Sequence, residues 1–251
     1  MHDGLMGLDG MSRVEGIRAC KRLNANQLKL LAIAAMILDH CTVVFVPEAF
    51  PARWLLRMLG RIAAPTMCFF IAEGYTHTSN LKKYMGRLLL LAAVVSHVPY
   101  NLCFGYEIWD IFRATDVMFS LLLGLAALAI WKSEDIAPWK RLLGVVVCCI
   151  LAYSADWNYI AVLWILGFGI FHGNPGRQLA AFTAVAVLYL FQGLIYETSF
   201  PFISRFGVFL ILPLLFLYNG QRGRKSRLIK WGFYWIYPIH MLLIYAVDRL
   251  I

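Results

Sequence analysis

The chain has 251 residues, 61% hydrophobic and 15% charged, with a mean hydropathy of +0.69. An ordinary soluble domain carries about 25% charge, so the composition excludes a soluble globular protein and points to one that lives in lipid. The net charge of +9 does not indicate a nucleic-acid partner, because the basic residues sit between apolar runs and not on one amphipathic surface.

Residues 1–27 are mixed and polar and hold Arg13, Arg18, Lys21 and Arg22. They lack the apolar core and small-residue cleavage site of a signal peptide, and are read as a cytoplasmic N-terminal segment. Residues 28–251 are read as a single transmembrane domain. Its apolar runs are about 15–20 residues long, the length that a helix needs to cross a bilayer. They predict spans at 28–47, 54–74, 86–105, 116–132, 141–154, 158–172, 178–196, 202–219 and 231–250. The fold class is therefore all-α: a polytopic membrane bundle of about nine helices, N-terminus cytoplasmic, with the first run as an uncleaved signal anchor. The fifth and sixth runs are short and either tilt or form a broken pair around Ser154–Asn158.

Charge supports this order, since cytoplasmic loops of membrane proteins are rich in Lys and Arg. Segments assigned inside hold Arg22 and Lys29, then Lys82, Lys83 and Arg87, then Lys132, Lys140 and Arg141, then Arg177, then Arg222, Arg224, Lys225, Arg227 and Lys230. Those assigned outside hold only Arg53, Arg113, Arg205 and Arg249. The expected location is the inner membrane, multi-pass, with lipid as a partner. Tryptophans at span ends (Trp54, Trp109, Trp131, Trp139, Trp157 and Trp231) read as an interfacial belt with no further role. The cysteines (Cys20, Cys41, Cys68, Cys103, Cys148 and Cys149) show no CxxC or metal-ligand spacing and read as small packed hydrophobes, with no metal expected. No internal repeat and no Gly/Pro-broken helix pair is seen, which counts against an inverted-repeat transporter.

An ionisable residue inside a span is costly, so each is a functional candidate: Asp39, His40, Arg57, Arg61, Glu73, His97 and His240. Counted along their helices from the inner ends, His40 lies roughly 18 Å deep, His97 roughly 16, His240 roughly 14 and Arg61 roughly 20 Å. Four residues from four helices thus fall in one slab and are expected to meet in one polar cavity. Arg57 and Arg61, four apart, share a face. Asp39 and His40 are adjacent and point apart, so Asp39 is expected to pair with Arg61 or to accept from another imidazole, while Arg57 snorkels outward. Glu73 and His77 read as a helix-end pair. Asp110 and Asp116 read as solvated outer-loop residues, and Asp156, between two short spans, reaches toward the cavity.

Several segments resemble the TraX family in order and spacing. They are Leu28–His40 with its Asp-His pair, Leu59-Gly60-Arg61-Ile62-Ala63-Ala64-Pro65, Glu73-Gly74-Tyr75-Thr76-His77-Thr78, Ser96-His97-Val98-Pro99-Tyr100 and the closing Phe233–His240. The likeness covers residue 28 to the end. At His97 it departs, the family's pattern being often acidic there. The resemblance implies a multispanning membrane acyltransferase of the group associated with N-acetylation of the conjugative pilin, using cytoplasmic acetyl-CoA as donor. The implied acceptor is an amine or hydroxyl at or beyond the membrane: a pilin or other peptide N-terminus, a sugar or another surface polymer.

On that reading acetyl transfer needs a base and a positive partner for the thioester oxyanion. His40 is assigned as base. Arg61 stabilises the oxyanion or fixes Asp39, and His240 orients the acceptor or carries an acetyl group as nucleophile. Arg57, His97 and Asp156 are secondary candidates. Lys82, Lys83, Arg87, Arg222, Arg224 and Lys225 either hold the CoA phosphates or only set topology. Two other classes use the same residues: a proton-coupled small-molecule carrier with an Asp/His relay, and an assembly protein whose buried charges only join helices.

Overall fold

The computed structural model describes residues 22–109, 114–196 and 199–250. The expectations for Arg13, Arg18, Cys20, Lys21, Asp110 and Arg113 lie outside them. Among the described residues the fold is all-helical, with two isolated bridges and no strands. Helix α1 (Ala25–Phe45) begins three residues before the predicted span because Asn24 and Gln27 form a reciprocal cap. The Gln27 amide donates to Asn24 Oδ1 at 3.1 Å and the Asn24 amide to Gln27 Oε1 at 2.9 Å.

The second run is α2 (Arg53–Gly60) followed by α3 (Ala63–His77), interrupted at Arg61–Ile62. Pro65 has no N–H to bond the carbonyl four residues back, which releases the backbone at Arg61. The third run is α4 (Leu81–Leu90), a widened π turn over Leu91–Ser96 and α5 (His97–Phe104), with Pro99 just beyond the widening. Next come α6 (Val117–Lys132), α7 (Pro138–Leu151), α8 (Asn158–Ile170) and α9 (Pro175–Tyr196). Then follow α10 (Ser199–Ser204), a 3-10 turn over Arg205–Leu210, α11 (Ile211–Leu217) carrying Pro213, and α12 (Arg227–Asp248) with Pro238 inside it. The absence of Gly/Pro-broken helices read from the sequence is thus corrected in the second and eighth runs, where proline removes a backbone donor.

Among the described residues four stretches are helical, long and apolar enough to cross a membrane: Ala25–Phe45, Arg53–His77, Leu81–Phe104 and Pro175–Ile195. Val117–Lys132, Asn158–Ile170 and Phe202–Leu217 are apolar but shorter. Helix α7 turns Leu142, Leu143, Val146, Val147 and Ile150 outward, an apolar face that suits lipid better than water.

The core forms where α6 and α8 pack on α3 and α9. Leu125, Leu128, Ile160, Trp164, Ile165, Phe168 and Phe182 are nearly or fully buried there. Trp164 stacks on Phe182 at 5.6 Å, and its indole N–H donates to the Phe182 carbonyl. Two backbone stitches close the ends. At one, Leu23 donates to Leu217 at 3.0 Å and Asn219 to Leu23 at 2.9 Å. At the other, Thr115 donates to Ser154 at 3.0 Å and Asp156 to Thr115 at 2.9 Å.

Helix α6 approaches α8 so closely that a Cβ on Gly124 would overlap the fully buried Ile165 side chain, the small-residue contact typical of bilayer helices. Gly124→Val is expected to destabilise the bundle by about 1–3 kcal/mol, the usual range for overpacking. A lower melting midpoint in detergent is the measurement that checks it.

Candidate functional site

A cavity of about 590 Å3 opens between the start of α1, the end of α3 and the segment leading into α12. Helix α1 lines it with Ala25, Asn26, Lys29, Ile33 and Met36, one face at three- to four-residue steps, over about 16 Å of helix. The mouth is basic, with Lys29, Arg87, Arg222, Arg224 and Lys225, and includes Glu73 and His77. The walls are largely apolar and aromatic, among them Met67, Phe70, Tyr84, Phe233 and Tyr234. Met36, Asp156, Trp157, Ile236 and Tyr237 also line it.

Beside Met36 and Tyr237 lies the imidazole pair. His40 Nδ1 and His240 Nε2 are 2.8 Å apart, and the rings lie edge to edge and nearly coplanar, with centroids 5.1 Å apart and planes 6° from parallel. The other nitrogen of His240, Nδ1, is 2.8 Å from the Ile236 carbonyl. A carbonyl only accepts, so His240 Nδ1 carries a proton, and with both rings neutral His40 Nδ1–H donates to His240 Nε2. This leaves His40 Nε2 as the lone pair of the dyad not committed to that chain of bonds. Tyr237 meets both rings edge-on, at 6.4 Å from His40 and 5.4 Å from His240, and Phe104 lies against His40 at 5.6 Å.

Asp39 pairs with Arg57 and not, as expected from spacing, with Arg61; Arg57 Nη1 lies 2.8 Å from Asp39 Oδ2. Arg57 therefore turns into the bundle instead of snorkelling outward. Gly60 makes room for this contact, since a Cβ there would come within 2.5 Å of Asp39 Oδ1. Arg61 instead lies over the Trp157 ring at 5.1 Å and acts electrostatically on Asp156. The turn bearing both residues, between α7 and α8, holds Trp157 at φ 63° and Asn158 at φ 34°, conformations that side chains disfavour and that cluster at functional sites. The Asp156–Thr115 stitch and a bond from Ser120 Oγ to the Asp156 carbonyl at 2.9 Å secure it.

Several expectations are corrected. His97 does not join the other two histidines; its Nε2 is 2.8 Å from the Ile108 carbonyl, so it ties α5 to the loop that follows. Lys82 and Lys83 are exposed and do not line the cavity. On α4 the inward face is Tyr84, Arg87 and Leu88, and the lysines point around the helix. Asp116 is fully buried rather than solvated and caps α6, accepting from the Phe119 amide at 3.2 Å. Arg205, assigned to the outer end of its run, is buried there, donates to the Tyr189 carbonyl at 2.8 Å and lies over the Tyr189 ring at 4.2 Å. Lys29, counted as a topology charge, lines the cavity with its ammonium 4.9 Å from the Phe70 ring. His172 joins Glu73 and His77, its Nε2 2.9 Å from Glu73 Oε1. The only sequence signal for Lys29 was its helical step from Met36 through Ile33, and for His172 there was none.

Burial raises the Asp156 carboxyl from its ordinary 3.8 to about 6, against the opposing charge of Arg61. A raised carboxyl pKa means that the folded chain holds a proton the unfolded chain has released, so stability falls as pH rises from about 4 to about 6. Asp156→Asn is expected to remove that part of the slope, read as melting midpoint against pH in detergent.

The model of the TraX protein family matches residues 24–248. A probable fimbrial assembly protein, FimC of serogroup H1, from Dichelobacter nodosus is 30% identical over 232 residues, covering 88% of this chain and 94% of that protein. An uncharacterized protein of Rickettsia prowazekii (strain Madrid E) is 25% identical over 202 residues, covering 76% of this chain and 73% of that protein. No solved structure matches. The family match spans nearly all the described helices, including those that carry the imidazole pair and the cavity, and the chain belongs to the TraX family.

Proposed function

We propose that the chain is a multi-pass inner-membrane acetyltransferase that moves an acetyl group from cytoplasmic acetyl-CoA to an amine or hydroxyl acceptor. The observation that carries this reading is a single cavity with a cationic mouth and apolar walls that reaches the residues beside a hydrogen-bonded imidazole pair. A polyanionic donor with a long, weakly polar arm suits such a shape: Arg87, Arg222, Arg224 and Lys225 meet the phosphates, and the pantetheine arm follows the wall lined by Ile33 and Met36. The nine helical runs all cross the bilayer on this reading, with the basic mouth inside.

In the chemical step the acceptor attacks the thioester carbonyl and its proton passes to His40 Nε2. The new positive charge is shared through His40 Nδ1–H and His240 Nε2, with the Ile236 carbonyl holding the far end of the chain. The C–S bond then breaks, and the thiolate takes the proton back from His40, so CoA leaves as a thiol. Arg61 supplies positive charge toward the oxyanion. Asp39 and Arg57 position the helices, and Lys82 and Lys83 are left to topology. The fimbrial assembly relative favours a pilin-like peptide N-terminus as acceptor over a glycan.

The test is acetyl-CoA binding by calorimetry and CoA release by the detergent-purified chain. Neutralising Arg222, Arg224 and Lys225 together is expected to weaken binding at least roughly tenfold, about 1.4 kcal/mol. His40→Ala is expected to bind normally and to lose CoA release by roughly 100-fold or more, the lower range for a general base. No binding by a folded wild type, together with solute uptake in liposomes lacking acetyl-CoA, would replace this reading with the carrier.

A further inference from the structure

We infer that Glu73, His77 and His172 form a binding site for one divalent transition-metal ion, zinc by preference, at the mouth of the cavity. The three ligand atoms all lie within 4.8 Å of one another. Glu73 Oε1 is 2.9 Å from His172 Nε2, and Glu73 Oε2 is 3.5 Å from His77 Nε2. Each imidazole thus turns its Nε2 to a different oxygen of one carboxylate. Two imidazoles with one carboxylate are a recognised zinc set that leaves one position open.

Sequence places Glu73 and His77 on one face of α3, one turn apart, near the helix end. His172 arrives from the turn after α8, and α3 packs on α8 along the core, so the bound ion would staple these two ends. The His77 side chain is 72% exposed and that of His172 33%, so a hydrated ion has a path in. Lys29, Arg87 and Arg222 nearby oppose a cation, and Glu73 offsets one of its charges on binding. The open position, surrounded by that basic mouth, then suits water or an anionic oxygen. The inference stands without the acetyl-transfer reading, since it rests on three side chains outside the imidazole pair.

The chain would be purified in detergent with a tag free of histidine, stripped with chelator and titrated with Zn2+ or Co2+. Wild type is expected to take up about one ion per chain, with the Co2+ form showing the intense visible absorption of a tetrahedral site. Zn2+ should also raise its melting midpoint, because an ion that binds only the folded state stabilises it. His172→Ala and the exposed His77→Ala are each expected to lose at least roughly tenfold in affinity and all of the zinc-dependent shift, while keeping the wild-type elution profile. Wild type without stoichiometric metal, or either variant binding as tightly as wild type, would overturn the site. A failure here leaves acetyl-CoA binding untouched, so the two readings fail separately.

Discussion

A buried imidazole has two ring nitrogens and, away from water, only other side chains and backbone groups to bond with. His40 and His240 satisfy this by bonding one another across 200 positions of sequence. The bond holds the last helix against the first, and it works only because the Ile236 carbonyl has already placed the His240 proton on Nδ1. The cavity depends on the same arrangement. Helices α1 and α12 meet at the imidazoles, while at the opposite end the start of α1 is stitched instead to the segment ahead of α12, through Leu23, Leu217 and Asn219. Between those two attachments the helices stand apart, and Met36, Ile236 and Tyr237 line the space they leave.

The other buried charges divide by what they touch. Asp39 with Arg57, Arg205 with Tyr189, and His97 with Ile108 each join an element to its neighbour and lie off the cavity lining. Such contacts account for the cost of burying the group without any chemistry, because a charge or imidazole that finds a partner is stabilised relative to one left alone. Asp156 differs. It lines the cavity, sits in a turn with left-handed side-chain-bearing residues, and feels two arginines of opposite charge to its own. Strain, burial and access to solvent space coincide there, a combination enriched at functional sites.

Much of the helical framework was legible because apolar runs and basic punctuation are strong, local signals. All nine runs appear as helical segments, with ends displaced by caps such as Asn24 that composition does not weigh. Depth along each helix is also local, and it put His40 and His240 at one level. Depth says nothing of azimuth. His97 shares the level and faces elsewhere, and Asp39 chose the arginine one turn away from the expected one. Residues such as Lys29 and His172 were hidden for a related reason: a charge near a helix end has an adequate explanation in topology, and only the packing of distant helices shows that it also faces a cavity or a cluster. The burial of Arg205 was hidden in the same way, since its neighbours in sequence say nothing of the Tyr189 ring beneath it.

The asymmetry of the cavity limits what the site can do under any reading. Its cations gather at one end, and a ligand that enters by that mouth must present its anionic part last if its other end is to reach Tyr237 and the imidazoles. A small free anion would be held at the mouth, far from the dyad, and a compact neutral solute would find little at the mouth to hold it. A long molecule with charge at one end and a reactive group at the other fits both halves at once.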